Sequence, residues 1–255
     1  MSAGRGASAI VGRQMRTAAI LPVKRFARAK QRLGESVPDP LRRDLAGAMV
    51  ADVLLALSET DAIALTIVVT AEESVAASAR GHGAIVVEDR DELGQSAAVE
   101  LGVGRALAEG AERALCIPGD CPALDPDELG ELLAAADASA ADTNGAADTN
   151  GVGRRVVIVP DRHGSGTNGL LLSPPDAIAP SFGPDSCERH RALALAAGAT
   201  CHLERPGSLL LDIDTGADLA ALRERLRSVS SRASRTRAVL DRSARPDLLP
   251  SSATG

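Results

Sequence analysis

The chain has 255 residues, 45% of them hydrophobic, and a formal charge of −6, which is room for one large domain or two small ones. No apolar run approaches the roughly 18 residues that a membrane span needs. Trp and Tyr are missing and only Phe26 and Phe182 are aromatic, so the stacking platforms that hold single-stranded nucleic acid are absent.

The hydrophobic pattern predicts strand–helix alternation from residue 18 onward. Short aliphatic runs predict strands at 18–23, 64–69, 84–87 and 113–117, with helices at 41–57, 72–80, 95–108 and 125–136 between and after them. Gly102 and Gly104 weaken the third of these helices. Residues 138–153 break the pattern. Ala-Asp-Thr-Asn-Gly occurs there twice, at 141–145 and 147–151, as expected of a low-complexity insertion. Regular structure resumes with strands at 155–159 and 170–172, a helix at 187–197, strands near 200–203 and 209–213, and a helix at 217–226. Alternation at this spacing gives βαβ units and a mostly parallel sheet covered by helices on both faces. We expect a single α/β domain over 16–227, an extension over 1–15 and an Arg/Ser-rich disordered tail over 228–255.

Both ends are net basic and the stretch between them is strongly acidic. An acidic body needs local cations or a metal to hold a phosphate-rich ligand. Cys116, Cys121, Cys187 and Cys201 form no Cys-x-x-Cys pair and no zinc-like spacing with the four histidines. Nothing before Met15 resembles a secretory leader, so a reducing cytoplasm is expected.

Ligands of open α/β sheets sit outside the carboxyl ends of the strands, and four strand-following segments carry unusual chemistry. After the first strand come Lys24, Arg25, Arg28, Lys30 and Arg32, cations suited to a polyphosphate although equally at home on a solvated face. After the fourth, Pro118-Gly119-Asp120 presents a carboxylate that fits Mg²⁺ or a plain turn. Gly164-Ser-Gly166-Thr167-Asn168 could form an anion nest. In Phe182-Gly183-Pro184-Asp185-Ser186, Asp185 with Glu188 reads as a capping box that leaves Ser186 in a helix first turn attractive to phosphate. In Asp212-Ile213-Asp214, a strand would point both carboxylates to one side, where a shared cation would relieve their repulsion. The alternative is that Asp214 or Thr215 simply caps the next helix.

Taken together these segments resemble the CofC/FbiD family, the phospholactate or phosphoenolpyruvate guanylyltransferases of deazaflavin coenzyme F-420 biosynthesis. The likeness runs from about Ala18 to Leu222. It rests on Pro-Val-Lys-x-x-x-x-Ala-Lys-x-Arg-Leu (22–33), Gly-Asp-x-Pro-Ala-Leu (119–124), Gly-x-Gly-Thr-Asn (164–168), Phe-Gly-Pro-Asp-Ser (182–186) with His190, and Asp-x-Asp-Thr (212–215). The resemblance implies a nucleotide-diphospho-sugar transferase fold, the GT-A-like arrangement, and transfer of GMP from GTP to a small phosphorylated C3 acid with release of pyrophosphate. It implies Mg²⁺ on Asp120, Asp212 and Asp214, and the acid's phosphate on Thr167, Gly183 and Ser186. Lys24, Arg28 and Lys30 would hold the triphosphate, and the nucleotide contact that relatives make with Asn falls here to Ser96, in Gly94-Gln95-Ser96-Ala97. No membrane or nucleic-acid partner is implied, and a downstream transferase of the pathway is an admissible one.

Three rivals are weighed against this reading. A molybdopterin or sugar-phosphate nucleotidyltransferase follows its first strand with a glycine-rich loop, whereas no glycine lies between Leu21 and Leu33. A non-catalytic nucleotide-binding regulator would not need all three aspartates. A zinc hydrolase lacks ligand spacing.

Overall fold

The computed structural model describes residues 15–27, 33, 37–142, 153–228 and 232–243. Seven strands, β1 Thr17–Val23, β2 Leu65–Thr70, β3 Ile85–Glu88, β4 Arg113–Cys116, β5 Arg155–Pro160, β6 Thr167–Ser173 and β7 Thr200–Leu203, form one sheet in the order β3-β2-β1-β4-β6-β5-β7. The helices are α1 Asp39–Ser58, α2 Glu73–Gly81, α3 Gln95–Ala108, α4 Pro126–Asp142, α5 Ser186–Ala196, α6 Gly216–Ser228 and α7 Ser234–Ser243.

The central strands are mostly apolar because both faces are covered, whereas the edge strands β3 and β7 are only partly buried. In β1, Ala19, Leu21 and Val23 enter one core with α1, α2 and α4, while Ala18 and Ile20 enter another with α3 and α5. Successive strand residues point to opposite faces, so one short run feeds two cores. Gly102 explains how α3 tolerates its glycine. A Cβ there would lie 2.4 Å from Ile20 Cγ2, so the residue is what lets the helix lie down on β1.

One strand decides where the site forms. β1 is parallel to β2 and β4, β2 to β3, and β5 to β7, but β6 runs antiparallel to both its neighbours, with Cys116 opposite Leu170. The start of β6 therefore lies at the rim where β1, β4 and β5 end. Without that reversal Thr167 and Asn168 would be at the other end of the sheet from Lys24 and Asp120.

Three expectations need correction. Residues 209–213 are not a strand. A 3-10 turn, Gly207–Leu209, leads into irregular chain. Its polar backbone is satisfied by side chains instead of a ladder: Ser208 N–H donates to Glu128 Oε2 at 2.7 Å, and the Leu209 carbonyl accepts from Asn168 Nδ2 at 2.8 Å. The chain beyond Ser228 is not all tail, because α7 packs on α1. The Asp52 carboxylate, itself buried on α1, accepts the N–H groups of Arg235 (3.1 Å) and Thr236 (2.8 Å), an N-terminal cap supplied from another helix. Thr236, Val239 and Leu240 are its buried face, a 3,4 spacing hidden among arginines. Finally, α4 runs to Asp142, into the expected insertion; the rest of the repeat and residues 1–14 lie outside the described residues. Among the described residues no helix is long and apolar enough to cross a membrane.

Candidate active site

A cleft of about 550 Å³ opens over the rim where β6 reverses. Its wall carries Lys24 from the end of β1, Asp120 from the turn after β4, Thr167 and Asn168 from the start of β6, Gly183 and Ser186 at the entry to α5, and Asp212 and Asp214 from the segment before α6. Seven of the ten site residues expected from the sequence thus line one cavity.

The two aspartate segments are tied directly. Ile213 N–H donates to the Asp120 carbonyl at 3.2 Å. Gly119 permits the turn that makes this possible: a Cβ would sit 3.0 Å from Val50 Cγ2. Asp212 is held by Asn168, whose amide donates to its Oδ1 at 3.1 Å as well as to Leu209. Burial, then the nearby charge of Asp120, and finally Asp214 raise the Asp212 pKa above the ordinary carboxylate value, although the Asn168 hydrogen bond works against them. Asp120 and Asp214 thus both act on Asp212 although no strand aligns two of them. The capping alternative holds for Thr215: its Oγ1 accepts Asp218 N–H at 3.3 Å, and Asp218 Oδ2 accepts Thr215 N–H at 2.7 Å. That reciprocal pair caps α6 without using the Asp212 carboxylate.

Among the described residues no group of three or more His, Cys, Asp or Glu side chains could hold a metal ion unaided. Mg²⁺ takes one or two carboxylates and completes its shell with water and phosphate oxygens. A cation beside Asp212 would offset both the burial and the repulsion that raise its pKa. The residues present fit that ion.

The opposite wall departs from expectation in two ways. The glycine-rich loop is already wrapped round an anion of its own chain, since Ser165 N–H donates to Asp161 Oδ1 at 3.0 Å and a Cβ at Gly166 would meet Asp161 Oδ2 at 2.7 Å. Asp185 is no capping-box residue. It adopts a left-handed conformation, φ 54°, and makes no side-chain cap. The Ser186 and Cys187 N–H groups are also taken, by the carbonyls of Gly183 (3.1 Å) and Ser165 (3.0 Å). What this wall offers a ligand is hydroxyl groups. Ser186 Oγ and Thr167 Oγ1 lie 3.1 Å apart, and His190 Nδ1 lies 3.1 Å from Thr167 Oγ1.

His190 and Asn168 carry no site signal of their own in the sequence beyond their place in two motifs, yet both orient cleft residues. Burial, and then the positive charge of Arg189, push the His190 imidazole down to about 4. The unfolded chain therefore takes up this proton first as pH falls, and stability present above about 6.5 is lost towards about 4, roughly 3 kcal/mol from this one fully buried group. Urea midpoints across that window should fall in the wild type and flatten in His190→Phe; parallel curves would contradict it.

On the remaining side, Lys24 is exposed at the cleft and the turn after it is anchored by Phe26 N–H donating to Glu72 Oε2 at 3.0 Å. Arg28 and Lys30 lie outside the described residues. Ser96 sits at the start of α3 with Gly94 and Gln95 on the cleft wall, but its own hydroxyl accepts the Phe182 N–H at 2.9 Å. In this geometry it fastens the Phe182-Gly183 turn to α3 rather than facing the cavity.

Comparison with known proteins follows the same outline. A family model described as guanylyl transferase CofC like matches residues 17–223. A phosphoenolpyruvate guanylyltransferase of Conexibacter woesei is 47% identical over 89% of this chain and 96% of its own, and one of Sphaerobacter thermophilus is 35% identical over 82% and 93%. A solved structure from Desulfovibrio desulfuricans, described provisionally as a nucleotide-diphospho-sugar transferase, superposes with a TM-score of 0.67 at 16% identity, over 89% of this chain and 95% of that one. A nucleotidyl transferase from Methanothermobacter superposes with 0.54 at 22%, over 84% and 99%. At those identities the two structures speak for the fold.

Proposed function

The chain belongs to the family of CofC-like guanylyl transferases, and from that premise we propose that it transfers GMP from GTP to phosphoenolpyruvate, releasing pyrophosphate, as a cytoplasmic step of coenzyme F-420 biosynthesis. The observation that carries the reading is that Lys24, the aspartates at 120, 212 and 214, and the Thr167–Ser186 hydroxyl pair line one cleft. Cation, carboxylates and neutral donors are what a triphosphate, a divalent ion and a small anionic acid respectively need. The names of the curated relatives support phosphoenolpyruvate as that acid.

The acid's phosphate oxygen attacks the α-phosphorus of GTP in line. A new P–O bond forms, the bond to the β-phosphate oxygen breaks, and its electron pair leaves with pyrophosphate. The attacking oxygen is already anionic near neutral pH, so no general base is required. Thr167, Ser186 and the Gly183 backbone hold the acid with one phosphate oxygen aimed at the α-phosphorus. Lys24 offsets charge gathering on the departing pyrophosphate, and Arg28 and Lys30, a few residues on in the sequence, would share that task. Asp120, Asp212 and Asp214 would hold Mg²⁺, which supplies charge neutralisation of the phosphates.

The test is a pyrophosphate-release assay crossing the four nucleoside triphosphates with phosphoenolpyruvate and 2-phospho-L-lactate, with Mg²⁺ present and then chelated. GTP with phosphoenolpyruvate should be the best pair and chelation should abolish release. A better rate with CTP or UTP, or no release with any pair, would overturn the assignment.

A further inference from the structure

We propose that His190 is a positioning residue whose neutral ring sets the direction of the Thr167–Ser186 hydroxyl pair, so that the pair presents a donor to the acid substrate. This rests on the reading that the pair binds the acid.

His190 is on α5 and wholly buried. Its Nε2 lies 2.9 Å from the backbone nitrogen of Ser181, and its Nδ1 lies 3.1 Å from Thr167 Oγ1. A backbone nitrogen can only donate, so Nε2 must present its lone pair. A neutral imidazole then carries its single proton on Nδ1 and donates it to Thr167 Oγ1. The proton count at the hydroxyls follows. Thr167 and Ser186 own two hydroxyl protons and, 3.1 Å apart, spend one on each other. With Thr167 accepting from the ring, the second proton remains for a ligand in the cleft. In the opposite tautomer Thr167 would donate to Nδ1, Ser186 would donate to Thr167, and nothing would be left to offer an anion. One ring proton thus decides whether this wall attracts or repels a phosphate or carboxylate oxygen.

The surroundings hold the ring in that state. Arg189 donates from Nε to Ser181 Oγ (3.0 Å) and from Nη2 to the carbonyls of Ser181 (2.9 Å) and Phe182 (3.1 Å), which fixes the aim of the Ser181 N–H. Phe182 meets the imidazole edge-on at 5.1 Å and 73°, restricting its rotation. The depressed basicity keeps the ring neutral at working pH.

The direct test is the ¹⁵N shift of His190 in the wild-type protein, which distinguishes a protonated Nδ1 from a protonated Nε2; the Nε2-protonated form would overturn the proposal. The kinetic test is His190→Phe, which keeps a ring and deletes the donor, beside His190→Asn, whose amide can occupy the Nδ1 position. His190→Phe should raise KM for phosphoenolpyruvate about tenfold or more, the scale of one hydrogen bond to a charged group, with KM for GTP within about twofold. His190→Asn should recover part of that loss. Equal loss toward both substrates, with no recovery by Asn, would mean a merely structural histidine. Thr167→Val separates the two layers of the argument. If it leaves KM for the acid unchanged, the pair does not bind the acid. If it raises that KM while His190→Phe does not, only the role of His190 fails. In the Thr167→Val background, His190→Phe should add almost nothing.

Discussion

Asp120→Asn should lose guanylyl transfer by about a hundredfold or more while folding as the wild type does. The substitution is isosteric, and the bond joining the two aspartate segments uses the Asp120 carbonyl, which accepts from Ile213 N–H and is untouched by a side-chain change. Gly119 and strand β4, buried at every position, still deliver residue 120 to the same point. What disappears is one negative charge beside the reacting phosphates, and removing a single electrostatic stabiliser from a preorganised site costs about 3 kcal/mol of transition-state energy. Release of pyrophosphate under saturating GTP and acid measures it, with the thermal midpoint as the control for folding. Turnover within a few-fold of wild type would mean that the carboxylate at 120 has no part in the chemistry. The same substitution has an electrostatic side effect. Asp120 is the second cause, after burial, of the raised Asp212 pKa, so Asp212 should titrate lower in the variant.

The sheet was legible because its central strands are buried on both faces and therefore read as largely apolar runs, and because Gly, Pro and Asp clusters separate them. The misread strand shows the limit of that signal. Leu209-Leu210-Leu211 looks like a buried strand, yet Leu209 packs in the core under α1 and α4 while Ile213 packs with α6 and α7. Apolar content records burial, and two cores reached by one irregular segment produce the same letters as one ladder. Asp212 and Asp214 arrive at the right place for a different reason from the expected one. The backbone bond to Asp120 and the Asn168 amide bring them there, and neither leaves a spacing signature. The anion nests failed because a sequence lists donors without saying whether the chain satisfies them itself; here Asp161 and two backbone carbonyls do. α7 was hidden because its cap, Asp52, lies far away in the sequence and its buried face is only Thr236, Val239 and Leu240.

Asp212→Asn should separate stability from activity, moving the two in opposite directions. Asp212 is half-buried, and its raised pKa means that the folded state holds the charged form less readily than the unfolded chain does. The sign follows from linkage: above the ordinary carboxylate range the folded protein bears a penalty for this charge, and the penalty fades as pH drops and the group protonates. Replacing the carboxylate by an amide removes the penalty at neutral pH. The Asn168 amide keeps an acceptor, since the new side chain retains an oxygen where Asn168 Nδ2 now donates at 3.1 Å. The metal-free variant should therefore melt higher than the metal-free wild type near neutral pH, with the gap closing in acid. Activity should fall by about a hundredfold or more, because the deleted charge is one that a divalent cation and two reacting phosphates would use. Mg²⁺ with GTP should raise the thermal midpoint of the wild type and raise that of Asp212→Asn much less, since only a ligand that binds the folded state shifts the transition. Such a trade is expected where a fold retains a costly buried charge for function. A variant that melts lower than wild type without metal would show that Asp212 is a structural carboxylate stabilised by its neighbours, and the carboxylate centre would then have to be sought elsewhere on the rim.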